Sequence, residues 1–130
     1  MFSAKDIINL KDVFYHQGSW KNYTSISIEG SKVGIKDESS VKKYVQMVGE
    51  TISNSDSVCH VAKKETDHSF SSFQVLEKSC IAGHFPIEKP TSNIEIFSSH
   101  SLNLEEILKI TQDYFNCENL SVSTYSKATA

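Results

Sequence analysis

Residues 69–88 read SFSSFQVLEKSCIAGHFPIE, and the fold turns on this stretch. Phe70, Ser72 and Gln74 alternate with Ser71, Phe73 and Val75 over residues 70–76, the period of two that marks a β-strand. Residues 80–85 form a second run, closed by a loop between Pro86 and Pro90, because proline cannot join a central ladder. Together they predict an antiparallel hairpin turning near Lys78. In that hairpin Ser71 falls opposite His84, whereas Ser79 stays at the turn, about 16 Å from His84 at ~3.3 Å per residue.

Further strands are predicted at 23–29, 58–62, 94–97 and 120–125, separated by Gly30-Ser31 and by polar segments such as 63–68. Val41, Tyr44, Val45, Val48 and Ile52 make a single apolar stripe at helical spacing within 36–53, with Asp37, Ser39 or Ser40 able to cap it. A second helix is predicted at 104–115 from Leu104, Ile107, Leu108, Ile110 and Phe115, with Asn103 as cap and Glu105 and Glu106 in its first turn. A short extra helix is expected at 3–15, with Ser3 as its cap and Asp6 three residues on.

The resulting order is strand, helix, four strands, helix, strand. Two long helices cannot cover both faces of six strands, so the expected class is α+β: a two-layer sandwich of βαββ type with a mainly antiparallel sheet and both helices on one face. Hydrophobic residues are 38% of the chain, against about 45–50% for an average globular domain. A core this thin, beside an uncovered sheet face, points to a homodimer.

The 130 residues suit one domain, and the net charge is −3 with every basic residue a lysine. That balance argues against a nucleic-acid surface, and without arginine there is no guanidinium fork for phosphate or carboxylate. Residues 1–10 carry Lys5 and Asp6 where a signal peptide would be apolar, and no apolar run approaches the roughly 20 residues of a membrane span. Cys59, Cys80 and Cys117 are odd in number and lack CxxC spacing, which fits a reduced cytoplasm.

Ser71, Ser79, Cys80, His84 and Glu88 concentrate in the hairpin. Read by residue type alone, the cluster admits a serine nucleophile with a histidine base, a metal site, or plain hydroxyl-rich strands. A metal site is disfavoured by spacing. Cys80 and His84 lie about 13 Å apart on a strand, and adjacent Cys59 and His60 point to opposite faces.

The hairpin resembles the S-adenosylmethionine decarboxylases, pyruvoyl enzymes that make their cofactor from an internal serine. The family pattern places His five residues after that serine and Glu four residues after the His. Ser79, His84 and Glu88 stand at those spacings, and Ser71 matches a second serine eight residues before the cleavage point. Ile28-Glu29-Gly30-Ser31 is similar to the Phe-Glu-Gly-Thr of the first strand in eukaryotic members. Lys78 stands where the family has Glu, and Ser99 where it has the cysteine that protonates the product carbanion.

The resemblance divides the chain into an N-terminal extension, 1–19, and a decarboxylase-like domain, 20–127. It implies self-cleavage between Lys78 and Ser79, leaving a pyruvoyl group on Ser79 that forms a Schiff base with the amine of S-adenosylmethionine. Ser71 and His84 would assist processing, Ser99 would take the place of the proton donor, and Glu88, Glu29 and Ile28 would bind the substrate. It implies composite sites in a homodimer, since the Ser-His pair and the cleavage serine cannot meet within one protomer. The alternatives are a non-catalytic partner subunit that keeps the fold, or a pyruvoyl decarboxylase of another amino acid.

Overall fold

In the computed structural model, residues 3, 5–6, 9, 20–53, 58–76, 79–87 and 89–126 are described. They form β1 (Asn22–Glu29), α1 (Glu38–Ile52), β2 (Cys59–Lys64), β3 (Ser69–Val75), β4 (Ser79–Pro86), β5 (Ser92–Ser98), α2 (Leu104–Phe115) and β6 (Asn119–Ser126). The strands make one sheet in the order β2-β3-β4-β5-β1-β6, with every pairing antiparallel. β1 lies between β5 and β6, so the first and last strands close one half of the sheet while the hairpin builds the other.

The hairpin has the expected register, with Ser71 opposite His84 and Phe70 opposite Phe85. The Leu76 amide donates to the Ser79 carbonyl at 2.8 Å, which closes the hairpin between those two residues. β2 runs on to Lys64, longer than its apolar residues suggest, because Lys63 and Lys64 find ladder partners in Phe70 and Ser69. The expected N-terminal helix lies largely outside the described residues. Within it, Ser3 and Asp6 exchange reciprocal bonds, from the Ser3 amide to the Asp6 carboxylate at 3.0 Å and from the Asp6 amide to the Ser3 hydroxyl at 3.1 Å.

Of the three candidate caps, Asp37 starts α1: its carboxylate accepts from the Ser40 amide at 2.9 Å. Asn103 does the same for α2, accepting from the Glu106 amide at 3.2 Å. Both helices lie on one face of the sheet, where Val41, Tyr44, Val45, Val48, Ile107 and Phe115 pack with Ile26, Ile28, Ile81, Phe85, Ile94 and Ile96. Tyr44 meets Phe115 edge to face at a centroid distance of 4.8 Å and joins the two helices.

The second face is not bare along its length. Trp20, Phe73, Cys80, Ala82 and Phe97 form a smaller apolar cluster there, all at most 4% exposed. Strand alternation explains both layers: Phe70 and Phe73, three residues apart, point to opposite faces, as do Phe85 and Cys80. β1 ends at Gly30, whose φ of +67° and close approach to the Glu118 side chain exclude a larger residue. Among the described residues, no helix is long and apolar enough to cross a membrane.

Candidate active site

Because the sheet is wholly antiparallel, residues in register form rows across it. One row on the second face runs Ala62, Ser71, His84, Asn93, Ser27 and Ser121 through all six strands. Its centre opens into a cleft of about 300 Å³ lined by Ser25, Ser27, His84, Pro86, Thr91, Ser92 and Asn93. Hydroxyls, an amide and an imidazole therefore meet where the apolar cluster of that face stops. Ser71 is buried and His84 exposed, so the imidazole is the accessible member of the pair.

Charge near this pair is arranged by the preceding turn. The Asp67 carboxyl is held below its ordinary range chiefly by the Ser69 hydroxyl, which donates to it at 2.6 Å, with smaller pulls from Lys64 and His84 against its desolvation. Farther along the face, the Tyr23 hydroxyl donates to Glu95 at 2.6 Å. Burial, reinforced by nearby Glu95, pushes the Cys80 thiol up to about 12. Cys80 is thus a protonated core residue at neutral pH, facing away from Ser79.

The other expected residues fall as follows. Glu29 is exposed, on the same face as Ser27 two residues before it. The Ile28 side chain is fully buried in the helix-side core. Ser99 follows the end of β5 and is half-buried. Lys78 and Glu88 lie outside the described residues.

Ser79 opens β4 at the far end of the sheet from His84, with Ser98 as its partner across β5. Its side chain shares the helix-side face with Ile81, opposite to His84. It is 2% exposed, and its hydroxyl is buried with no hydrogen-bond partner among the described residues. A second polar row runs from here through Ser98 and Asn22 to Ser126. Ser98 donates to the His100 carbonyl at 2.7 Å and accepts from the His100 amide at 3.1 Å, and its Oγ lies 3.3 Å from His100 Nδ1.

The structure therefore brings Ser71 to His84 and keeps Ser79 apart from both. Reading by sequence missed Asn93 beside His84, with Ser27 next in the row, and Ser98 beside Ser79, with Asn22 next in its row. Those neighbours follow from pairings of β5 with β4 and β1, strands far apart in the chain. A hint lay in the sequence, since the polar-apolar alternation of β5 puts Asn93 and Ser98 on opposite faces.

Among known proteins, the profile of the family described as S-adenosylmethionine decarboxylase matches residues 24–128. Among solved structures, the chain is similar to the crystal structure of the adenosylmethionine decarboxylase from Aquifex aeolicus VF5. That likeness has a TM-score of 0.67 at 9% sequence identity, covers 85% of this chain and 92% of that chain, and speaks for the fold. A search of curated proteins gives no match.

Proposed function

The chain belongs to the S-adenosylmethionine decarboxylase family, and from that membership we propose that it is a self-processing, pyruvoyl-dependent decarboxylase of S-adenosylmethionine. Its product would supply aminopropyl groups for spermidine synthesis in the cytoplasm, where its three free, buried cysteines suit a reduced environment. The observation that carries the reading is the state of Ser79: a buried hydroxyl with no partner among the described residues, at the first position of β4. A hydroxyl engaged in no other hydrogen bond is free to attack the preceding carbonyl, and a turn is where a strand can be cut with least loss of pairing.

Ser79 Oγ attacks the Lys78 carbonyl carbon, and the amide is exchanged for an ester. Removal of the Ser79 α-proton expels the carboxylate of Lys78 and leaves a dehydroalanine, whose imine tautomer takes up one water and releases ammonia to leave the pyruvoyl group at the new N-terminus. When in place, that group supplies an electron sink for the departing carboxylate of an amine-bearing substrate, which no ordinary side chain provides. Ser79 would carry it, with Glu29 and Glu88 as ligands for the substrate's hydroxyls, while Ile28, fully buried in the helix-side core, is withdrawn from the substrate.

His84, held beside Ser71 and open to the cleft, is the base of the composite site. It works on the Ser79 of the other protomer in a homodimer formed through the second face. Exchange of the amide for the ester frees the start of β4, so its Ser79 α-carbon can leave the helix side and reach that imidazole before elimination. Ser99 replaces the family's proton-donating cysteine, and a hydroxyl is a far weaker acid than a thiol with pKa about 8.5.

The test is release of CO2 from carboxyl-labelled S-adenosylmethionine. The natural protein should release it with few turnovers per pyruvoyl group, Ser99→Cys should sustain turnover, and Ser79→Ala should release none. No release by cleaved protein, with or without Ser99→Cys, would remove S-adenosylmethionine as the substrate.

A further inference from the structure

In the uncut chain, the hydroxyl that must start self-cleavage is sealed from the Ser71-His84 pair. Ser79 and His84 are five positions apart on β4, and the two side chains lie on opposite faces of the sheet. A second protomer docked on the cleft face would meet the same screen. Proton handling in the first step therefore has to come from the helix side of the same protomer.

The side chain in register with Ser79 there is Ser98. Directly opposed residues of an antiparallel pair have Cβ atoms about 4.5–5.5 Å apart, so rotation about χ1 brings two serine hydroxyls within hydrogen-bond reach. Ser98 is itself fixed. Its Oγ is bracketed by the amide, carbonyl and Nδ1 of His100, and the His100 carbonyl also accepts from Asn22 Nδ2 at 3.2 Å. Asn22 in turn accepts from the Ser126 hydroxyl at 2.9 Å. An exposed imidazole is thus tied through a buried serine to the neighbourhood of an unpartnered buried hydroxyl.

We propose that Ser98 takes the proton from Ser79 in the first step of self-cleavage, with His100 as the positioning residue that accepts it through Ser98. This rests on the self-processing reading above. As Ser79 Oγ bonds to the Lys78 carbonyl carbon, its proton passes to Ser98 Oγ, and the Ser98 hydrogen turns from the His100 carbonyl to Nδ1. The bond from that carbon to the Ser79 nitrogen breaks, and the nitrogen receives the proton back by the same route. An amide becomes an ester and a free amine, with no other reactant and no change of oxidation state.

The experiment follows the uncut fraction over time by intact mass, independently of decarboxylation. Ser98→Ala and His100→Ala should cut roughly 10²-fold more slowly than the natural chain. Ser98→Thr, which keeps the hydroxyl and suits a strand, should cut at close to the natural rate. Added imidazole should accelerate His100→Ala and leave Ser98→Ala unchanged, a response that loss of a merely structural contact does not give. Natural-rate cutting by both alanine variants, or a slow His100→Ala that imidazole does not rescue, overturns the inference while the self-processing reading stands. A natural chain that never cuts overturns both.

Discussion

The bond between Tyr44 and Thr111 makes a quantitative demand on the helical layer. The two oxygens are 2.7 Å apart with both residues fully buried, and Thr111 Oγ1 also donates to the Ile107 carbonyl at 2.8 Å. A threonine has one hydroxyl hydrogen, and Ile107 has it, so Tyr44 is the donor. Burial raises the Tyr44 phenol well above its ordinary value, against the pull of the Thr111 bond, which keeps it protonated as a donor must be. Thr111→Val removes the acceptor and leaves a buried phenol unsatisfied, at a cost of about 1–3 kcal/mol. Tyr44→Phe leaves Thr111 bonded to Ile107 and costs about 1 kcal/mol. At roughly 4 °C per kcal/mol for a domain of this size, Tm should fall about 4–12 °C in the first variant and about 4 °C in the second. Denaturant and thermal melts by circular dichroism measure both. Once Thr111 is Val, adding Tyr44→Phe should cost nothing more and should recover part of the loss, because no unsatisfied group remains. A Thr111→Val that is neutral or costs less than Tyr44→Phe, or a double change that recovers nothing, would refute the donor assignment.

Two further predictions concern the thiols and the assembly. Cys59 and Cys80 are pushed up to about 12, chiefly by burial, and Cys117 is raised for the same reason, so a disulfide reagent at pH 8 should leave the folded protein almost untouched and titrate all three thiols in denaturant. Rapid labelling of Cys80 in folded protein would mean that the second apolar cluster is open. Sedimentation at micromolar concentration should give a dimer, and a monomer would remove the composite site.

The hairpin was legible because its information is local: a two-periodic pattern, a short turn and a closing proline fix the register that sets Ser71 against His84. Both long helices were legible for a similar reason, with one apolar stripe and a capping side chain at each start. The insertion of β1 between β5 and β6 is a pairing between distant segments, and chain order does not encode it. With it was hidden everything that depends on β5: the Asn93 and Ser27 flank of His84, and the Ser98-His100 bracket beside Ser79. The second apolar cluster was also underread, because Trp20 and Phe97 come from opposite ends of the chain and meet only in the folded sheet, at a ring distance of 5.5 Å.

The central claim is that Ser79 cuts the chain before itself. Intact mass of the purified protein, followed over a long incubation, tests this most directly. The account predicts loss of the 14.6 kDa species and growth of two fragments, residues 1–78 and 79–130, the second with a blocked N-terminus and a carbonyl reducible by borohydride, while Ser79→Ala stays whole. A single uncut species with no reducible carbonyl, from protein that is folded by circular dichroism, would contradict it.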